Sequence, residues 1–202
     1  MELLESDHHA WSRAATELRT GAVVALPTDT VYGVAASIEH PSAVVRLFAL
    51  KDRDASKPVA VLVSGAEQAA HIAEWTPSAA DIAERFWPGP LTLVLPRRPG
   101  FTLDLGGAGE TVGVRCPAHD SLSALCADVG PLATTSANRS GAPTPSTGRE
   151  VAVELEGTAV AFLIDAGASP GFIASTVVRV EGDELTILRE GPISDTDLRS
   201  VS

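Results

Sequence analysis

Short continuous apolar runs alternate along the chain with stretches whose apolar residues recur at helical spacing. The runs at residues 22–26 and 59–63 are typical of strands buried on both faces of a sheet. Helical spacing predicts helices over residues 9–19 and 42–50. Further strands are predicted at residues 91–95, 111–115, 132–134, 160–164, 176–180 and 185–188, and a further helix at residues 120–128.

Polar residues and prolines mark where other helices begin and end. Thr76 followed by Pro77 is typical of an N-cap and a first helical position. Ser64 and Thr147, each with a glutamate three residues later, predict capping boxes. The segment at residues 87–90 is interpreted as a rigid helix stop, not as a binding element. The irregular alternation, with a hairpin at the C-terminal strand pair, predicts an α/β fold: a twisted mixed β-sheet flanked by helices, in a single domain over residues 1–202.

Composition and charge exclude several classes of protein. The net charge of −11 disfavours non-specific binding to nucleic acid or to an anionic membrane, because both need clustered positive charge. No apolar stretch approaches the ~18 residues that a membrane span requires, and no basic start with an apolar run indicates a secretory signal. The two cysteines and five histidines lack metal-ligand spacing. These features predict a cytoplasmic protein with no metal site and no membrane partner.

Four polar segments follow predicted strands, where ligands of helix-covered sheets tend to bind. They are residues 28–33, the loop 51–57 with the only two lysines of the chain, residues 134–144, and Ser175 with Arg189 beyond it. Hydroxyl-rich and glycine-containing loops can donate hydrogen bonds to anionic oxygens, and lysine suits phosphate. Arg115, at a strand end, could hold a carboxylate with both arms of its guanidinium.

Taken singly, each of these signals has a structural alternative. Clusters of threonine and serine are more often turns, and a lone arginine after a strand more often forms a surface ion pair. The phosphate-binding P-loop and the G-x-S-x-G nucleophile elbow are both absent from the sequence. The residues alone therefore indicate a cytoplasmic enzyme or binding protein with a small anion-accepting crevice.

Seven segments in a fixed order carry a resemblance to a known family. They lie at residues 27–33, 51–58, 87–92, 111–117, 136–141, 175–178 and 189–191. Together they resemble the YrdC family of L-threonylcarbamoyladenylate synthases over about residues 10–195. The resemblance implies a YrdC-like fold with a concave, positively charged cavity. It also implies an enzyme that joins L-threonine, bicarbonate and ATP into threonylcarbamoyl-AMP and releases pyrophosphate, the first step of N6-threonylcarbamoyladenosine (t6A) synthesis in tRNA.

The resemblance further implies partners and site residues. The product would pass to a tRNA threonylcarbamoyltransferase, weak binding of tRNA itself is compatible with this role, and Mg²⁺ would be bound with ATP. The residues implied to face the phosphates as the catalytic group are Lys51, Arg53 and Lys57. The residues implied to bind L-threonine are Thr30, Tyr32, Arg115, Thr134 and Ser175, with Arg115 taking the carboxylate. The residues implied to bind ATP are Arg53, Lys57, Thr111, Ser136, Asn138, Thr144 and Arg189.

The sequence departs from the family pattern in two respects. Some relatives carry a histidine in the strand after the basic loop, and residues 59–63 contain none. Some relatives also have a second C-terminal domain, so this chain is expected to be the single-domain form. Three rival functions stay open. The first is an RNA-binding module, which the negative net charge and the few aromatic residues disfavour. The others are a sugar-phosphate lyase, for which acidic metal ligands cannot be placed, and a carbamoyl-transfer maturation factor, which is a much longer chain.

Overall fold

The computed structural model of the protein describes residues 1–50, 57–170 and 173–201, so the predicted site residues Lys51 and Arg53 lie outside the described residues. The described chain forms the strands β1 (Glu2–Glu5), β2 (Val23–Leu26), β3 (Gly33–Ser37), β4 (Ala60–Leu62), β5 (Leu91–Pro96), β6 (Thr111–Arg115), β7 (Leu132–Ser136), β8 (Val160–Asp165), β9 (Thr176–Glu181) and β10 (Glu184–Arg189). It also forms the helices α1 (His8–Arg19), α2 (Pro41–Leu50), α3 (Ala66–Ala69), α4 (Pro77–Phe86), α5 (Asp120–Val129), α6 (Gly148–Glu154) and α7 (Asp195–Arg199). Among these helices, none is long and apolar enough to cross a membrane.

The strands form one mixed sheet in the order β1-β8-β2-β3-β7-β4-β6-β5-β9-β10. Parallel pairs such as β4–β6 and β5–β9 occur beside antiparallel pairs such as β3–β7 and β5–β6. The prediction of a mixed sheet flanked by helices is therefore confirmed. The predicted C-terminal hairpin is also confirmed, because β9 and β10 pair antiparallel, with a register shift between Ile187 and Arg189.

The two faces of the sheet carry separate hydrophobic cores. On one face, Trp11 and Leu18 of α1 and Leu122 of α5 pack with strand residues such as Phe162 and Leu62. Helices α2, α4 and α6 contribute to the core on the opposite face. Burying a large apolar side chain stabilises the fold by roughly 1.5–3 kcal/mol, so several such side chains in each core stabilise the packing of the helices on the sheet. Leu62 also lines a cavity, which places that cavity on the same face as α1 and α5.

The helix starts follow the predicted capping residues only in part. Thr76 accepts a hydrogen bond from the Ala79 N–H, as predicted. The capping box at Ser64 is wrong: α3 has Gly65 as its N-cap without a side-chain bond, and the Ser64 N–H instead donates to the Gln68 side chain.

The second predicted capping box forms only one of its two bonds. Thr147 caps α6 by accepting from the Glu150 N–H. The Glu150 carboxylate, however, accepts from the N–H and hydroxyl of Ser146, one residue before the cap. The predicted bond from the Thr147 N–H to the Glu150 carboxylate is therefore wrong, because the carboxylate accepts from the adjacent backbone N–H of Ser146 instead.

Three elements were not predicted from the sequence: β1, β3 and α7. Every residue of β3 is buried, but the strand begins at Gly33, inside a segment that its hydroxyls marked as a loop. Helix α7 has a full capping box between Ser194 and Asp197. Strand β1 pairs with β8 at the edge of the sheet, and only Leu4 is partly buried, so its apolar signal is weak.

Candidate active site

A cavity of about 500 Å³ opens on the sheet face beside α1 and α5. Its floor follows a row of paired residues on five neighbouring strands: Thr134, Ala60, Gly113, Val94 and Arg179. The small residues Ala60 and Gly113 leave space at the centre of this row, while Thr134 and Arg179 place polar groups at its two ends. The volume falls in the ~300–1,000 Å³ range that is typical of small-molecule sites.

Arg115 stands at the end of β6 and is almost completely buried, with 5% of its surface exposed. Its Nη2 donates to Asp29 Oδ1 at 2.6 Å, its Nη1 donates to Thr30 Oγ1 at 2.8 Å, and its Nε donates to the Gly89 carbonyl at 3.1 Å. Burial lowers the pKa of Arg115, and the charge of Asp29 opposes that effect. Three of the five N–H groups of the guanidinium are used in these bonds, which leaves two for a ligand in the cavity.

Thr28 organises the loop that carries Asp29 and Thr30. Its hydroxyl donates to the Val31 carbonyl at 2.7 Å and accepts from the N–H groups of Thr30 and Val31. The hydroxyls of Thr28 and Thr30 also lie 3.0 Å apart. The Thr30 hydroxyl also accepts from Arg115 Nη1, so the loop and the arginine hold each other in place.

Ser175 joins three strands at the opposite wall of the cavity. Its hydroxyl lies 2.8 Å from Thr92 Oγ1 of β5. Arg189, at the end of β10, donates from Nε and Nη2 to the Ser175 carbonyl at 3.0 and 2.9 Å, and from Nη2 to the Ser175 hydroxyl at 3.1 Å. Arg189 thus fixes the position of Ser175 as well as lining the cavity.

Tyr32 is fully buried, and its hydroxyl is bound to another part of the fold. The hydroxyl donates to the Gly167 carbonyl at 2.9 Å and accepts from the Ala166 N–H at 2.9 Å. Burial raises the pKa of Tyr32, and the nearby carboxylate of Asp165 adds to that effect. Tyr32 lines the cavity, but these bonds direct its hydroxyl to the loop after β8.

Only part of the third polar segment, residues 134–144, lines the cavity. Thr134 and Ser136 of β7 line the cavity. The Ser136 hydroxyl donates to Asn138 Oδ1 at 2.5 Å, and Asn138 Nδ2 donates to the Ala142 carbonyl at 2.6 Å. Asn138 is buried behind Ser136 and orients it from there.

The cavity brings together most of the predicted site residues that the structure describes. The predicted residues that line it are Thr30, Tyr32, Thr111, Arg115, Thr134, Ser136, Ser175 and Arg189. Asn138, Thr144 and Lys57 are not among its lining residues, although Pro58, next to Lys57, is. Within the described part of the chain, no group of three or more His, Cys, Asp and Glu side chains could hold a metal ion.

Several residues at the site were not singled out from the sequence. Asp29 and Gly89 bind Arg115, Thr28 shapes the first loop, and Thr92 contacts Ser175. The segment at residues 87–90, interpreted as a helix stop alone, thus also supplies a carbonyl to the site. Arg179 lines the cavity as well, and the two-residue period of β9 places it on the face of Ser175.

Comparison with known proteins places the chain in a family. The family model Sua5_yciO_yrdC, described as Telomere recombination, matches residues 16–191. A Mycobacterium tuberculosis relative is 38% identical over 189 residues, which cover 93% of this chain and 87% of the relative. A Pyrococcus abyssi protein named threonylcarbamoyl-AMP synthase is 37% identical, over 93% of this chain and 56% of that protein. The structure of P. abyssi Sua5 complexed with L-threonine is 35% identical, with a TM-score of 0.89 over 99% of this chain and 59% of that chain. The chain therefore belongs to the Sua5/YciO/YrdC family.

Proposed function

We propose that the protein synthesises threonylcarbamoyl-AMP from L-threonine, bicarbonate and ATP, with release of pyrophosphate. The observation that carries the proposal is the buried guanidinium of Arg115, which keeps two N–H groups for a ligand in a cavity rich in hydroxyl groups. Relatives named threonylcarbamoyl-AMP synthase, at 37% and 36% identity, support this reaction, and neither an RNA-binding module nor a lyase is favoured by them. A P. abyssi homologue that binds L-threonine supports the substrate.

Arg115 would hold the carboxylate of L-threonine. Its bonds to Asp29, Thr30 and Gly89 fix the guanidinium before the substrate arrives, which reduces the ordering that binding requires. Thr30, which lines the cavity beside Arg115, is the proposed partner of the amine of L-threonine. The hydroxyls of Thr134 and Ser175 are the remaining proposed partners in the threonine subsite.

The nucleotide would occupy the rest of the cavity. Thr111, Ser136 and Arg189 line it, and Asn138 supports Ser136 from behind. We assign the nucleotide phosphates to the basic residues of the loop, Lys51, Arg53 and Lys57, and assign Thr144 to the nucleotide by family resemblance.

The chemistry needs positioning more than a reactive side chain. The amine of L-threonine reacts with bicarbonate to form a carbamate and water. A carbamate oxygen then attacks the α-phosphorus of ATP, and pyrophosphate leaves. Such phosphoryl chemistry depends on alignment and on neutralising the developing charge, so no covalent nucleophile is required. Mg²⁺ would enter with ATP and would neutralise part of the charge on its phosphates.

The product and its location complete the proposal. Threonylcarbamoyl-AMP would pass in the cytoplasm to a separate tRNA threonylcarbamoyltransferase. We also propose that residues 1–202 form one YrdC-like domain.

Pyrophosphate release tests the proposed function. Purified protein with ATP, Mg²⁺, L-threonine and bicarbonate is expected to release pyrophosphate well above the same mixture without threonine. Arg115→Ala and Lys51→Ala are expected to abolish this release, whereas Arg149→Gln, on the exposed start of α6 and away from the cavity, is expected to retain it. Release that is independent of threonine, or absent in the wild-type protein, would contradict the proposal.

A further inference from the structure

Arg179 is a cavity residue with an unusual hydrogen-bonding state. It lies on β9 two residues beyond Val177, and both side chains line the cavity while Val178 and Val180 are buried on the other face. The Nε atom of Arg179 is buried and has no hydrogen-bond partner. Among the described residues, no carboxylate lies within ion-pair distance of its guanidinium.

The other two arginines that line the cavity are bonded to the protein. Arg115 donates to Asp29, Thr30 and Gly89, and Arg189 donates to Ser175. A buried N–H without an acceptor destabilises the fold, so a guanidinium kept in that state is expected to meet its acceptor in a ligand. Arg179 therefore differs from Arg115 and Arg189 because its buried Nε has no acceptor in the described part of the protein.

The surroundings of Arg179 favour an oxygen anion as that acceptor. Val94, Val177 and Leu188 line the same part of the cavity. An apolar setting strengthens a charge-assisted hydrogen bond because less water competes for it. A stacked base would cover the guanidinium face but would leave the in-plane Nε–H unpaired. Two phosphate oxygens can instead accept from Nε and one Nη together.

Sheet geometry indicates which phosphate would reach Arg179. The register runs from Gly113 on β6 through Val94 on β5 to Arg179, and Arg115 is two residues along β6 from Gly113. Spacings of ~4.8 Å between strands and ~3.4 Å along a strand put the Cα atoms of Arg115 and Arg179 roughly 10 Å apart across the sheet and roughly 7 Å along it. Arg179 is thus distant from the threonine carboxylate and from the α-phosphorus next to it.

We propose that Arg179 binds the β- and γ-phosphates of ATP, the part that leaves as pyrophosphate, through Nε and one terminal nitrogen. This inference rests on the proposed function and adds to it a phosphate-binding residue on β9. Its role is to hold the leaving group and, after the reaction, to retain pyrophosphate until it dissociates.

Binding affinities for three ligands test the proposal. Isothermal titration with ATP, AMP and pyrophosphate is expected to show that Arg179→Gln weakens ATP and pyrophosphate binding by about tenfold or more, the size of one charge-assisted bond. AMP binding is expected to change by less than about twofold, because AMP lacks the two outer phosphates. Arg179→Lys keeps the charge but not the planar guanidinium. Its affinities for ATP and pyrophosphate are therefore expected to lie between those of the wild type and of Arg179→Gln. Arg149→Gln, an exposed loss of the same charge, is expected to leave all three affinities unchanged.

Thermal unfolding without ligand provides a second readout. Because Arg179→Met removes an unpaired buried donor and retains most of the side-chain volume, it is expected to raise the Tm of the ligand-free protein while reducing the stabilisation by ATP. A lower Tm in the ligand-free variant would mean that Arg179 supports the fold, which would overturn the proposal.

The outcomes for the inference and for the proposed function are separable. Equal weakening of AMP and ATP, or no weakening of either, would overturn the assignment to the outer phosphates even if the wild-type protein releases pyrophosphate with threonine. The opposite combination is also informative. If Arg179→Gln selectively loses affinity for ATP and pyrophosphate while the wild-type protein shows no threonine-dependent release of pyrophosphate, the phosphate site is supported and the proposed reaction is contradicted.

Discussion

Removing Asp29 is expected to destabilise the protein strongly, because it leaves the Arg115 charge buried without a partner. The Asp29 carboxylate lies 2.6 Å from Arg115 Nη2, and only 11% and 6% of the two side chains are exposed. Breaking a buried ion pair by removing one partner costs about 3–5 kcal/mol. For a chain of this size, each kcal/mol corresponds to about 2–4 °C in Tm, so Asp29→Ala is expected to lower Tm by at least about 6 °C.

A double-mutant cycle isolates the interaction from other effects of the substitution. Arg115→Met removes the unpaired charge that Asp29→Ala leaves behind, so the double variant is expected to be more stable than Asp29→Ala alone. Chemical denaturation of the four proteins gives the coupling energy. The matched control is the exposed pair of Asp195 and Arg199, which is expected to give no measurable coupling because water screens it.

Two results would refute this reasoning about the pair. One is an Asp29→Ala variant whose free energy of unfolding is within about 1 kcal/mol of the wild type, against the 3–5 kcal/mol expected for a buried pair. The other is a double variant no more stable than Asp29→Ala. In either case the charge of Arg115 would not depend on Asp29, and the ion pair would not explain how the Arg115 guanidinium is held in the proposed threonine subsite.

Four further changes test other parts of the fold. Tyr32→Phe removes the hydroxyl bonds to Gly167 and Ala166 and is expected to lower the free energy of unfolding by about 1–3 kcal/mol in denaturant melts. Gly191→Ala would place a Cβ in steric conflict with the Thr176 backbone nitrogen and is expected to lower Tm, whereas Gly65→Ala meets no atom within 4 Å and is the matched control. Burial lowers the pKa of His119 from 6.5 in the folded protein. As the pH drops below 6.5, His119 therefore takes up a proton in the unfolded chain before it does so in the folded protein, and the free energy of unfolding falls. In His119→Asn this part of the pH dependence is expected to disappear. Burial raises the pKa of the Cys126 thiol to about 12, so iodoacetamide at pH 8 is expected to label Cys126 only after unfolding, as measured by mass spectrometry.

The sequence predicted eight of the ten strands described in the sheet, because apolar runs have few alternatives in a folded domain. The hairpin of β9 and β10 and the cap at Thr76 followed from local patterns alone. Strand β3 escaped prediction because its first residue, Gly33, follows directly on the hydroxyl-rich loop. Local patterns therefore predicted the elements better than their boundaries.

The site was predictable in its residue types but not in its pairings. Arg115 was expected to be a binding residue, yet its partners Asp29 and Gly89 lie 86 and 26 residues away in the sequence. Pairings over such separations are fixed by the order of strands in the sheet, which one sequence does not reveal. Arg179, in contrast, was within reach of the sequence, because the period of two along β9 places it on the face of Ser175.

The central claim is that one cavity joins L-threonine, bicarbonate and ATP. Incubating the protein with ATP, Mg²⁺, ¹³C-bicarbonate and ¹⁵N-threonine, followed immediately by mass spectrometry, tests it most directly. The proposed reaction predicts an AMP adduct that carries both labels, formed together with pyrophosphate and lost in Arg115→Ala. Pyrophosphate without a doubly labelled adduct, or an adduct that persists in Arg115→Ala, would contradict the account.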